Sequence, residues 1–185
     1  MGSKASRDKF SGSIRSPDQV RVALKLLVDF VERFGARPQD MVIISPYSAN
    51  ISTIEKLRKI AEFIALKPMR PAATVDSFQG QEGDIVVIIM GTTSSTGPGF
   101  TSDEHRLNVL LSRHRSGLII VGNIDVAGDV KNLDAPFEGM GIIGKSGEKY
   151  FDKCDMLCNI HFALYEAGRV VRVPVFIYKK ETKGG

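Results

Sequence analysis

The strongest constraint in this 185-residue chain is a set of three short runs that are apolar at every position: Met41–Ile44, Ile85–Met90 and Leu118–Val121. A strand with one wet face alternates apolar and polar side chains. A strand with no polar face has to be covered on both sides, which is the condition of a parallel sheet. The stretches between the runs carry helical spacing. Ser16-Pro17-Asp18 opens the first helix, with Ser as the cap and Pro at the first helical position, and Val20, Leu24, Leu27, Val28 and Val31 recur up to Gly35. A second helix, capped by Asn50 or Ser52, carries Ile54, Leu57, Ile60, Ala61 and Ile64; a third, capped by Ser102 or Asp103, carries Leu107, Val109, Leu110 and Leu111. Strands alternating with helices predict an α/β fold, a mostly parallel sheet with helices on both faces.

The remaining elements are weaker. Ala73-Thr74-Val75 reads as a short strand, 148–167 as a longer helix and Val170–Tyr178 as a last strand. Residues 91–102 read as a loop and 125–147 as glycine-rich and irregular. Residues 1–15 are expected to be an appended start and a loose polar segment, 16–180 one domain, and 181–185 a loose tail.

Charge and cysteine usage narrow the function classes. Lys and Arg number 25 against 21 Asp and Glu, a net charge of +4, too little on its own to demand a polyanion partner. The basic residues are grouped, however: one cluster is Lys56, Arg58, Lys59, Lys67 and Arg70, another Arg106, Arg113 and Arg115. No apolar stretch is long enough to span a membrane. Cys154 and Cys158 stand four apart on a helix, poorly placed for a disulfide, which suits a reducing, intracellular compartment. With His161 they share one helix face. A zinc site needs a fourth ligand and usually a second element, so core packing beside Phe151, Leu157 and Leu164 is the better account.

In a parallel sheet, ligands bind outside the carboxyl ends of the strands. Polar residues mark three such ends: Ser45-Pro46-Tyr47, the stretch Asp76 to Asp84, and Gly122-Asn123. The second is richer in glycine and polar side chains than a plain turn needs. Gly139–Ser146 (GMGIIGKS) spells G-x-x-x-x-G-K-[ST], but it stands in the glycine-rich irregular stretch and not between an apolar strand and a helix, the context a phosphate loop needs; no G-x-G-x-x-G follows one of the apolar strands and there is no H-E-x-x-H. None of the three polar strand ends carries a phosphate cradle.

Taken singly, Arg113 and Arg115 read as surface arginines, Gln79 and Glu82 as loop residues, and Tyr47 as a packing residue. Their context changes this. Thr74-Val75-Asp76-Ser77-Phe78-Gln79-Gly80-Gln81-Glu82-Gly83-Asp84 resembles motif V of superfamily 1 helicases. Arg106 through Arg115 (RLNVLLSRHR) resembles motif VI, and Ile44-Ser45-Pro46-Tyr47 with Asn50 resembles motif IV. Their order and spacing are closest to the branch of the nonsense-mediated-decay helicase and its senataxin-type relatives. The resemblance covers about residues 17–123. Three positions depart from the family pattern: Ser112 stands for Thr and keeps its hydroxyl, His114 replaces a small residue, and Asn50 stands where Gln is common.

The resemblance implies a RecA-like domain, the second of two, with ATP in the cleft between them and a single strand of RNA or DNA running across both. It implies that Arg113 is an arginine finger reaching across the cleft and that Gln79 couples the nucleotide contact to the phosphate side. Glu82 would reach the nucleotide sugar, Gly80 would allow the tight turn, Arg115 would be a second phosphate-binding or motif-coupling group, and Tyr47 would lie near the base. Ser45, Thr74 and Ser77 would touch the nucleic-acid backbone. Magnesium ligands are expected on the first domain, which is also the expected partner, and the location would be nuclear or cytoplasmic. This makes the chain half of an NTP hydrolase, inactive alone. Two alternatives stand beside it: a helicase-derived nucleic-acid or protein-binding module whose catalysis has decayed, and an unrelated nucleotide- or phosphosugar-binding α/β domain.

Overall fold

The computed structural model describes residues 4–7, 12–128, 142–143, 149–150 and 154–174. Its centre is a four-stranded parallel sheet of β3 (Met41–Ser45), β4 (Ala73–Thr74), β5 (Gly83–Ile89) and β6 (His114–Val121), in the order β4-β3-β5-β6. The all-apolar runs predicted this. Every residue of β3 is buried, and successive side chains enter opposite layers.

Val42, Ile44, Val86, Ile88 and Met90 face one layer, with Leu107 and Leu110 of α3 (Glu104–Leu111) and Leu157 of α4 (Asp155–Glu166). Met41, Ile43, Val87 and Ile89 face the other layer. There they meet Val20, Ala23, Leu24 and Leu27 of α1 (Pro17–Phe34) and Ile54 of α2 (Ser48–Leu57). Helix α1 ends as its sequence suggests. Gly35 takes φ +65°, its N–H donates to Val31 O, and Ala36 N–H donates to Phe30 O.

Four local expectations are corrected. Residues 4–16 are not simply loose: β1 (Ser6–Arg7) and β2 (Ile14–Arg15) pair antiparallel, and Ile14 is buried. Ser16 does not cap α1, because its hydroxyl donates to Lys4 O at 2.8 Å. The second helix stops at Leu57, and Ala61–Leu66 form a separate 3-10 turn. Arg58, expected in a surface cluster, is buried between the two. It donates to Leu66 O (3.0 Å), Met69 O (2.8 Å), Arg70 O (3.0 Å) and Glu55 Oε1 (2.9 Å).

The helix expected over 148–167 is shorter. Lys149–Tyr150 form β8, paired antiparallel with β7 (Ile142–Ile143), and α4 starts at Asp155. Residues 170–174 are not a strand, and 175–178, like the tail 181–185, lie outside the described residues. Among the described residues no helix is long and apolar enough to cross a membrane.

Candidate nucleotide and nucleic-acid site

Residues 75–82 carry the chain from the carboxyl end of β4 to the amino end of β5. The crossover is pinned from inside and open outside. Val75 and Phe78 are buried in the layer that holds α3, while Asp76, Ser77, Gln79, Gln81 and Glu82 are exposed. At its start Thr74 and Ser77 close on each other. Ser77 Oγ accepts from Thr74 N–H (2.9 Å) and donates to Thr74 O (3.1 Å), and the two hydroxyls are 3.0 Å apart. Gly80 takes φ +76°, the left-handed conformation that glycine adopts without penalty. Gln81 Nε2 donates back to Ser77 O at 3.2 Å. Gln79 makes no side-chain hydrogen bond among the described residues.

At the amino edge of the sheet, Gly83 N–H donates to Arg113 O at 3.0 Å, which ties the end of the crossover to the turn between α3 and β6. The half-buried Arg113 side chain folds back on α3. Its Nε donates to Val109 O (3.0 Å) and Nη2 to Ser112 Oγ (2.9 Å). Beside it, Arg115 Nε pairs with Glu82 Oε2 at 3.0 Å, and Nη1 lies 3.7 Å from Asp84 Oδ1. Hydrogen bonding to Glu82, and then its charge, raise the Arg115 guanidinium further above its already high range. The structure thus gathers Glu82, Arg113 and Arg115 on one edge.

The carboxyl edge carries Thr74 and Ser77, with Ser45 in register beside Thr74. Ser45 itself is fully buried. Its hydroxyl donates to Ile89 O at 2.8 Å and accepts from Asn50 Nδ2 at 3.1 Å, so it ties β3 to β5 and does not face a ligand. This corrects its placement as a nucleic-acid contact. Tyr47 stands at the same edge. It is half-buried, its hydroxyl accepts from Phe100 N–H at 3.1 Å, and its ring meets Phe100 edge-on at 6.4 Å. Burial raises its phenol above the usual range, opposed by the Phe100 hydrogen bond and by Arg7. The seven residues of β5 separate the two edges by about 20 Å. Tyr47 is therefore not brought together with Glu82, Arg113 and Arg115. Arg106 and Arg113 also part company, at opposite ends of α3.

The model of the AAA domain family AAA_12 matches residues 1–125. The chain belongs to that family. Within it, the chain falls among superfamily 1 helicases of the nonsense-mediated-decay and senataxin-type branch. It is 37% identical over 92 residues to the regulator of nonsense transcripts 1 homolog of Neurospora crassa, covering 48% of this chain and 8% of that protein. It is 35% identical over 99 residues to helicase sen1 of Schizosaccharomyces pombe, covering 53% and 6%. It is 36% identical over 146 residues to the helicase required for RNAi-mediated heterochromatin assembly 1 of the same yeast, covering 70% and 14%. The chain therefore spans a small part of the length of these relatives.

Behind the carboxyl edge of this AAA domain lies a buried polar network that sequence reading missed. Gln19, on α1, accepts from Gly91 N–H and donates to Thr92 O, both at 2.8 Å. Asn50 Oδ1 accepts from Ser16 N–H at 2.9 Å. The one available signal was Gln19 itself, a polar residue on the apolar face of α1. Cys154 is buried at the start of α4. His161 Nδ1 lies 2.8 Å from Ile124 O, and burial lowers its pKa. Among the described residues no three His, Cys, Asp or Glu side chains stand together as a metal-holding group.

Proposed function

We propose that this chain is the second motor domain of an ATP-dependent helicase, lending an arginine finger and half of a single-strand groove to a first domain that carries the phosphate loop and the magnesium ligands. The observation that supports it is the division of the motif residues between two sheet edges. Glu82, Arg113 and Arg115 stand together at the amino edge and Thr74 and Ser77 at the carboxyl edge, joined by the crossover 75–82.

The amino edge suits a nucleotide polyphosphate. Arg113 has Nη1 unengaged among the described residues, and a guanidinium is a planar, permanently charged donor fork for phosphate oxygens. Bound ATP would supply the phosphoanhydride whose cleavage drives the motor. Arg113, turned outward from Val109 O, would stabilise the charge that builds on the phosphate oxygens. Glu82, released from Arg115, would accept from the sugar hydroxyls, and Arg115 would then be free for phosphate. Domain closure would bring these groups to the nucleotide. At the other edge the Thr74 and Ser77 hydroxyls would bind backbone phosphates, giving sequence-tolerant contact.

The test is single-strand-stimulated ATPase in the longest natural chain containing these residues. Arg113→Ala should lower turnover by a factor on the order of 10³ while single-strand binding persists. Turnover unchanged by the substitution, or ATP hydrolysis by the 185-residue chain alone, would sink this reading. Absence of stimulated turnover in the parent would favour the decayed binding module.

A further inference from the structure

We propose that Arg106, carried on the face of Phe100, is a phosphate contact for a single nucleic-acid strand at the carboxyl edge of the sheet. This deepens the proposed function and rests on its assignment of that edge to nucleic acid. The Arg106 guanidinium lies 4.4 Å from the Phe100 ring centroid. Phe100 is held in turn: its N–H donates to the Tyr47 hydroxyl at 3.1 Å, and its ring packs edge-on against Tyr47. A cation on an aromatic face keeps its position while its in-plane N–H donors stay available.

Those donors are not used. The guanidinium makes no hydrogen bond among the described residues, and the Arg106 side chain is 52% exposed. Among the described residues its one carboxylate partner is Asp103, which is 3.9 Å away and accepts instead from the Arg106 backbone N–H at 3.1 Å, capping α3. An exposed ion pair that long is weak and screened by salt, so a phosphate displaces it at little cost.

Its position points to the same ligand. Phe100 bonds Tyr47 at the carboxyl edge, which places Arg106 at the edge that also carries Thr74, and Leu107, the next residue, shares its core cluster with Val75 and Phe78 of the crossover, so α3 and the crossover cover the same layer. Arg113 is seven residues on, about 10 Å along α3 at the helical rise. The two arginines of one motif thus serve different edges, Arg106 the strand and Arg113 the nucleotide.

The test titrates the 185-residue chain with short oligouridylate and oligothymidylate at low salt, read by amide NMR shifts, which register millimolar binding. Arg106→Ala should weaken binding about tenfold, the size of one charge-assisted hydrogen bond. It should also lower the slope of log affinity against log salt by about 0.7. Phe100→Leu should weaken binding less and leave that slope unchanged. Arg33→Ala, removing an exposed charge near the other end of α1, should bind as the parent does. Dispersed amide spectra verify that each variant is folded. Arg106→Ala binding no worse than Arg33→Ala overturns this inference alone. A parent chain that binds neither oligonucleotide overturns the nucleic-acid assignment of the edge, and this inference with it.

Discussion

Arg115 Nε lies 3.0 Å from Glu82 Oε2, so the crossover ahead of β5 and the start of β6 meet through one ion pair. Both side chains are more than half exposed, at 61% and 53%. Such a pair adds little to stability and yields readily to a competing ligand. Glu82→Gln should shift the melting temperature of the chain by less than about 2 °C. In a longer chain that hydrolyses ATP, the same substitution should raise the KM for nucleotide. A large fall in melting temperature would instead make the pair a structural one.

Arg58 is the opposite case. Its side chain is 7% exposed, and its two Nη atoms serve three carbonyls and a carboxylate. Those carbonyls belong to the segment that leads into β4. Arg58→Met would leave them unpaired in a dry site and should cost about 3 kcal/mol, measured as a lower urea midpoint with an unchanged slope. Arg58→Lys should rescue little, since one ammonium cannot reach acceptors on both sides of a planar fork.

The sheet was legible because coverage of both faces leaves an all-apolar run: β3 is buried throughout, β5 over most of its length, and β6, at the sheet's edge, carries such a run over Leu118–Val121 though it is only half-buried there. The amino-edge set was brought together because its motif positions fall at the starts of adjacent parallel strands, Glu82 just ahead of β5 and Arg115 in β6. What failed depends on long-range geometry. Ser45 ends a strand, and nothing in its neighbours in sequence says that Ile89 O and Asn50 close over its hydroxyl. Arg58 looks like a surface cation until the chain returns at Leu66–Arg70 to surround it. Arg106 and Arg113 look like one cluster until α3 separates them.

Two glycines with similar backbone angles should respond differently to alanine. Gly80 has φ +76° and open space where a Cβ would stand, whereas Gly91 has φ +75° and a Cβ there would run into the Asn50 amide. Gly80→Ala should cost about 1 kcal/mol, the backbone penalty alone. Gly91→Ala should cost several times as much, because Asn50 bridges Ser16 and Ser45 and cannot move freely. Chemical denaturation of the two variants side by side is the measurement. Equal losses would show that the Asn50 network yields without penalty.

His161 gives the domain a stability that depends on pH. Its Nδ1 faces Ile124 O at 2.8 Å, and burial lowers its pKa below the usual 6.5, opposed by that carbonyl and by Asp125, which pairs with Arg172. The unfolded chain therefore binds a proton at His161 more readily than the folded one does. Stability contributed by the neutral ring is fully present above the unfolded value and is lost as pH falls below it toward the folded value. Urea midpoints should fall between pH 7.5 and pH 5.5. His161→Asn, which keeps a donor for Ile124 O without a titrating ring, should be less stable at pH 7.5 but show a shallower decline. A variant whose decline is as steep as the parent's would move the pH response to another group.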